Sequence, residues 1–170
     1  YPLKMHVFNR ARLIKNSKNR IPYGVDLIQK YKRESWIVFT ENKKQAKEFN
    51  KIINTKGFKS ALYNTDLDSA ERLENLNKFK KADLNVLVTC TALDEGFDMP
   101  EADGALILSA SSSKRQRVQR MGRVLRITES KPNALIVTVY SSKTEFDKLM
   151  EEAKRYHKEG VPVSWKRQDR

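Results

Sequence analysis

The sequence predicts an α/β fold, a parallel sheet flanked by helices on both faces, and three observations lead there. Four short runs, Trp36-Ile-Val-Phe-Thr40, Asn85-Val-Leu-Val-Thr89, Gly104-Ala-Leu-Ile-Leu108 and Ala134-Leu-Ile-Val-Thr-Val139, are apolar almost throughout rather than alternating. That is the pattern of strands buried on both faces. Helix-length stretches separate most of them, as right-handed parallel crossovers require. A chain of 170 residues is also long enough for one core and hardly for two.

Each element has a local reason. Residues 1–34 read as a basic helical lead-in, broken at Pro22-Tyr-Gly24. After the strand at Trp36, the Lys-rich amphipathic stretch Asn42 to Lys56 reads as a helix that stops at Gly57. Lys59 to Tyr63 is a weaker strand. Asp68 to Lys80 carries Leu73, Leu76 and Phe79 at helical spacing, with Asp68 as N-cap and Glu71 three residues on, the pattern of a capping box. The strands at Asn85 and Gly104 follow, then a helix from about Lys114 to Arg126, the strand at Ala134, and a last helix from about Lys143 to His157. The tail after Gly160 reads as loose. The expected organisation is therefore 1–34 lead-in, 35–158 α/β domain, 159–170 basic tail. The chain begins on Tyr1 without Met, which suggests a piece cut from a longer protein.

Composition narrows the function. Lys and Arg total 34 against 21 Asp and Glu, a net charge of +13, and such an excess is the footprint of a polyanion partner, nucleic acid before any acidic metabolite. Solvated lysines would give the same total, so distribution matters. From Gly104 to Thr128 stand Lys114, Arg115, Arg117, Arg120, Arg123 and Arg126 with no acidic residue among them, and like charges so dense repel unless an anion faces them. Cys90 is the single cysteine and His6 and His157 stand alone, so neither an internal disulfide nor a zinc site is expected and a reducing cytoplasm fits. No apolar run reaches the roughly 20 residues that span a bilayer, and no secretory signal pattern opens the chain.

Ligands of open α/β sheets sit at the carboxyl ends of strands, so the segments after the strands carry the candidates. The turn after Val86-Leu-Val-Thr89 holds Thr89, Thr91, Asp94, Glu95, Gly96 and Asp98. Its amides and hydroxyls suit a phosphate and its carboxylates a sugar hydroxyl, although a structural turn would look the same. Gln119-Arg-Met-Gly-Arg-Val-Leu-Arg126 says more. At about 100° per residue, Val118, Met121 and Leu125 share one stripe, whereas Gln119, Arg123 and Arg126 fall within about 60° of one another on a different one. Gly122 costs a helix roughly 1 kcal/mol against Ala, which points to a close approach or an irregular start. Arg grips phosphate oxygens in a fixed orientation, where Lys is a mobile point charge. A solvated basic face is the competing reading.

These residues resemble superfamily 2 helicases and translocases. Gln119-Arg-x-Gly-Arg-x-x-Arg126 looks like motif VI, the segment ending Gly96-Phe-Asp-Met-Pro100 looks like motif V, and Trp36-Ile-Val-Phe-Thr40 occupies the place of motif IV. The helix Ser69-Ala-Glu-Arg72 to Lys80 resembles the one found between motifs IV and V. Order and spacing agree from about Ser35 to Val139, and all of it resembles the second, C-terminal of two RecA-like lobes, a three-layer α/β/α domain. The first lobe of such proteins carries a phosphate-binding loop with Gly-Lys-Thr, which this sequence lacks, together with the magnesium carboxylates. The lobe alone is therefore expected to be inactive as an ATPase.

The resemblance implies roles residue by residue. Arg123 and Arg126 match the arginine fingers that reach the γ-phosphate of ATP, and Gln119 the polar residue linking the nucleotide site to the opposite lobe. Asp98 matches the carboxylate on the ribose hydroxyl and Gly96 the glycine of motif V. Thr40, Asn42, Arg72, Thr89 and Thr91 match positions that touch the nucleic-acid backbone. Cys90 departs from the family, which often has Thr there; a thiol is a poor phosphate donor, so that contact passes to backbone amides or to Thr89 or Thr91. Mg2+ belongs to the absent first lobe of the same chain, and no metal ligand is expected here. The ending Gly-Arg-Val-Leu-Arg126 is closer to DNA repair and restriction translocases than to the His-Arg-x-Gly-Arg form of RNA helicases. DNA is thus the expected partner, with an RNA helicase lobe, or a basic nucleic-acid-binding α/β module without a motor, as the alternatives.

Overall fold

The computed structural model describes residues 19–90, 101–108, 134–158 and 162–165. In chain order they form α1 (Arg20–Tyr31), β1 (Trp36–Thr40), α2 (Lys43–Thr55), β2 (Ser60–Tyr63), α3 (Ser69–Lys80), β3 (Val86–Cys90), β4 (Gly104–Ile107), β5 (Leu135–Thr138) and α4 (Lys143–Lys158). The strands make one sheet in the order β2-β3-β1-β4-β5, with every pair parallel.

Registers follow from side-chain alternation. Trp36 stands between Val86 and Gly104, and Thr40 opposite Cys90. Trp36, Val38, Val86, Val88, Cys90 and Leu106 form a core with Ile21, Val25 and Ile28 of α1 and Ala46, Phe49 and Ile53 of α2. On the opposite face Ile37, Phe39, Leu87, Ala105 and Ile107 pack with Leu76 and Phe79 of α3. Because β1, β3 and β4 are covered on both faces they need no polar side. Side-chain caps start α2 and α3, the one at Asp68 as expected. Asn42 Oδ1 accepts from Gln45 N at 2.9 Å, and Asp68 Oδ1 accepts from Glu71 N at 2.7 Å.

Four expectations are corrected. The break at Pro22-Tyr23-Gly24 is absent, since α1 runs straight through it. Pro22 lies in the first turn, where an amide hydrogen would have no intrahelical partner, and Gly24 is there for contact. A Cβ on it would come within 2.5 Å of Leu108 Cδ2 and 3.2 Å of Leu106 Cδ2 and Phe49 Cε2. The fourth apolar run is not buried on both faces: β5 is an edge strand and its Ile136 is 42% exposed. Leu73 contributes nothing to the core, being 58% exposed, so of the three apolar residues at helical spacing α3 packs through Leu76 and Phe79 alone. The tail is not wholly loose either, because Trp165 stacks edge-on against Phe146 at 5.2 Å and Tyr140 at 6.5 Å. Among the described residues no helix is long and apolar enough to cross a membrane.

Candidate nucleic-acid interface

Parallel strands end together, so the carboxyl ends of β2, β3, β1 and β4 share one edge of the sheet. Thr40, at the end of β1, is buried, and its hydroxyl donates to the carbonyls of Thr89 at 3.1 Å and Asn42 at 3.3 Å. Those bonds tie the ends of β1 and β3 together and set where α2 begins. Asn42 spends its side-chain oxygen capping α2. Thr89 is buried, and its Oγ1 has no hydrogen-bond partner among the described residues. Arg72 lies in the first turns of α3, half-buried, with Nη2 donating to Ser69 Oγ at 3.2 Å. Burial pushes the neighbouring Tyr63 hydroxyl up from its ordinary value, and the Arg72 charge partly opposes it.

The sequence pattern did not point to four residues of this edge. Lys43 and Lys47, one turn apart at the start of α2, both pair with Asp66 in the turn after β2, Lys47 at 3.1 Å. Hydrogen bonds from Lys43 and then Lys47 hold the Asp66 carboxyl below the usual carboxylate range. Lysines at a helix N-terminus oppose the dipole, and α2 has no acidic residue in its first turn. That absence was the available signal. Asn64 follows β2 fully buried, its Oδ1 accepting from Asp66 N at 3.0 Å while its Nδ2 has no partner among the described residues. Among the described residues the edge thus holds two unpaired polar atoms, from Thr89 and Asn64, and its cations Lys43, Lys47 and Arg72 stand on the helices that start from it. Buried polar atoms normally find partners, and an edge that holds both cations and unpaired polar atoms suits a chain of phosphates.

Gly96, Asp98 and Thr91 fall in residues 91–100, and Gln119, Arg123 and Arg126 in residues 109–133, both outside the described residues. What the structure gives is where those segments start: the first leaves Cys90 at the end of β3, the second follows Leu108 after β4, and β1 with Thr40 stands between them. Among the described residues no group of three His, Cys, Asp or Glu could hold a metal ion.

Comparison with known proteins agrees with this arrangement. The family model described as the helicase conserved C-terminal domain matches residues 19–128, so it takes in α1 and strands β1 to β4 and stops short of β5. A DNA 3'-5' translocase XPB2 from Sulfurisphaera tokodaii is 36% identical over 129 residues, 76% of this chain and 28% of that protein. An ATP-dependent rRNA helicase RRP3 from Scheffersomyces stipitis is 27% identical over 118 residues, 69% of this chain and 24% of that protein. The chain thus spans less than a third of the length of either. The solved C-terminal domain of the DEAD-box protein Dbp5 superposes with a TM-score of 0.71 at 21% identity, covering 85% of this chain and 82% of that one. On its sheet order, its edge and these matches, the chain belongs to the helicase conserved C-terminal domain family, as the second RecA-like lobe of the superfamily 2 helicases and translocases.

Proposed function

We propose that this lobe, with residues 35–158 as its body and α1 docked on it, completes the ATP site of a nucleic-acid helicase or translocase whose other RecA-like lobe lies in the same full-length chain. ATP is the substrate and brings a γ-phosphoryl group whose charge spreads over its oxygens as it is transferred. Arg123 and Arg126 meet that charge as arginine fingers, Gln119 couples the site to the opposite lobe, and Asp98 with Gly96 holds the ribose. Mg2+ sits with the first lobe. Thr40, Asn42, Arg72, Thr89 and Thr91 take the nucleic-acid backbone, to which we add Lys43 and Lys47.

One observation carries the reading. The segments bearing motifs V and VI start from neighbouring positions on the same sheet edge, on either side of Thr40, so nucleotide and nucleic acid are handled side by side. Gripping phosphates without reading bases is what a translocase needs, since it must cross any sequence. We favour DNA on the Gly-Arg-Val-Leu-Arg126 ending, and the similarity to a DNA translocase supports it. The similarity to an rRNA helicase supports the second reading, an RNA helicase lobe. The deciding measurement is phosphate release by the full-length protein with single-stranded DNA, duplex DNA and RNA. Stimulation by DNA is expected, and stimulation by RNA alone would favour the second reading. Residues 1–170 by themselves should show no stimulated turnover; hydrolysis by them well above background would refute a site shared between lobes.

A further inference from the structure

Asp66 takes two cations, one on each oxygen of its carboxylate. Lys43 Nζ donates to Oδ1, and Lys47 Nζ stands 3.1 Å from Oδ2. The two lysines are one helical turn apart on α2, the helix that follows Thr40 at the carboxyl edge of the sheet, whereas Asp66 belongs to the turn between β2 and α3. The carboxylate is the fixed member of this group. Asn64, fully buried, accepts from Asp66 N at 3.0 Å through Oδ1 and from Leu67 N at 3.3 Å through its carbonyl, so the backbone that carries Asp66 is tied to a residue of the interior. The lysines are the mobile members. Their side chains are 47% and 59% exposed, and each ammonium ends a flexible four-carbon stem.

Stability of the fold does not account for the arrangement. An exposed ion pair adds little to a fold, and a lysine in the first turn works against the helix dipole. Yet α2 opens Lys43-Lys-Gln-Ala-Lys47 with no acidic residue in its first turn, and the neutralising charge comes from another element. A carboxylate whose two oxygens each hold one ammonium carries the same single charge, on the same pair of outer oxygens, as the phosphodiester of a nucleic-acid backbone.

We propose that Asp66 is an internal stand-in for a backbone phosphate: it holds Lys43 and Lys47 while the lobe is free, and a single strand of nucleic acid displaces it by offering a phosphate to the same two ammonium groups. The proposal rests on the reading of Lys43 and Lys47 as backbone contacts and gives a role to a residue that itself touches no nucleic acid. Binding at this point is an exchange of one anion for another, so the grip is weaker than two unpaired lysines would give. A weak grip suits a translocase, which must release each phosphate to reach the next.

The test is equilibrium binding of the full-length protein, over a salt series and without ATP, to a fluorescent oligothymidylate and to an oligouridylate of the same length. Asp66→Asn keeps the shape of the side chain and removes its charge. It should bind whichever strand the wild type prefers about 3- to 10-fold more tightly at low salt, with a log-log salt slope steeper by about 1, because the lysines then neutralise phosphate without a competitor. Melting should stay close to wild type, as for any exposed pair. In a protein that also carries Lys43→Ala and Lys47→Ala, Asp66→Asn should change affinity by less than about twofold, and that dependence on the lysines separates displacement from plain repulsion between Asp66 and the strand. An equal gain with and without the lysines would leave only repulsion, unchanged affinity would leave an ion pair with no part in binding, and weaker binding would make Asp66 a support that holds the lysines in place; each overturns the proposal. Failure of the parent reading looks different. Lys43→Ala with Lys47→Ala would then bind as tightly as wild type with the same salt slope, and the proposal would fall with it.

Discussion

Trp36 lies so close over Gly104 that a Cβ on the glycine would come within 2.6 Å of Trp36 Cε3 and 2.8 Å of Cδ2 and Cζ3. The indole is completely buried at the start of β1, in register with Gly104 on β4, and has no room to retreat. Gly104→Ala should therefore destabilise the domain by about 1–3 kcal/mol, the usual cost of overpacking a filled core. The contact is at the amino end of the sheet, opposite the candidate interface, so the loss should appear in thermal melting and not in turnover per folded molecule. An unchanged melting temperature would show that the ring yields.

Gly24 sets two effects against each other. Ala normally gains about 1 kcal/mol over Gly inside a helix, but here its methyl would come within 2.5 Å of Leu108 Cδ2, with Leu106 and Phe49 close behind. Packing should win, and Gly24→Ala should melt below wild type. A stabilised variant would mean that α1 can slide on the sheet.

That same glycine marks how far the fold could be read from sequence. Strands β1, β3 and β4 announced themselves because burial on both faces leaves unbroken apolar runs, α2 through its amphipathic stretch ending at Gly57, and α3 through a cap that acts over three residues. Pro22 and Gly24 carry the local marks of a break, and only the distant Leu106 and Leu108 explain why the helix continues. Ile136 and Val137 look as apolar as any core run, yet an edge position leaves Ile136 exposed, and nothing within β5 states its place in the sheet order. At the interface, Arg72 stood out through the likeness of its helix to the one between motifs IV and V. Lys43, Lys47 and Asp66 meet only when the turn after β2 comes back to α2. Arg20, buried in α1, was the least legible, for its partners, the Leu108 carbonyl and the Glu145 carboxylate, are 88 and 125 residues away.

The cations of the edge predict how binding depends on salt. Affinity for nucleic acid should be weak, indifferent to sequence, and fall steeply as salt rises, because phosphate contacts release counterions. Arg72→Ala should weaken binding evenly across sequences and lower the log-log salt slope by about 1. A titration from low to physiological ionic strength that left affinity unchanged would remove the basic edge from the binding surface.

Asp66 gives a pH test. Its pairing with Lys43, then Lys47, lowers its folded pKa. A carboxylate of depressed pKa adds its stabilisation above the unfolded value and loses it as pH falls through the folded value. The Lys43-Asp66-Lys47 contact should thus persist through the pH range where an ordinary aspartate takes up its proton, and break only below it. Carboxyl carbon NMR should find Asp66 titrating below the range of an aspartate in an unfolded peptide, and Lys43→Ala with Lys47→Ala should raise its midpoint. Because the group is exposed, overall melting should change little. An Asp66 midpoint unmoved by loss of both lysines would mean that the contact does not persist in solution.

The sharpest outcome concerns Arg123 and Arg126 in the full-length protein. The helical reading puts both on a stripe away from Val118, Met121 and Leu125, so Ala at either removes little buried area and should leave melting nearly unchanged. A finger strengthens its hold as charge develops on the γ-phosphoryl oxygens, and an interaction made mostly in the transition state lowers kcat far more than it weakens ATP binding. Each variant should therefore lose about three orders of magnitude in nucleic-acid-stimulated turnover. Arg117 has no counterpart in the motif and falls on the side of the apolar stripe, so Arg117→Ala should cost little turnover. Measured side by side, Arg123→Ala and Arg126→Ala turning over like Arg117→Ala, or melting far below wild type, would show that the two arginines serve the fold and not the phosphoryl transfer.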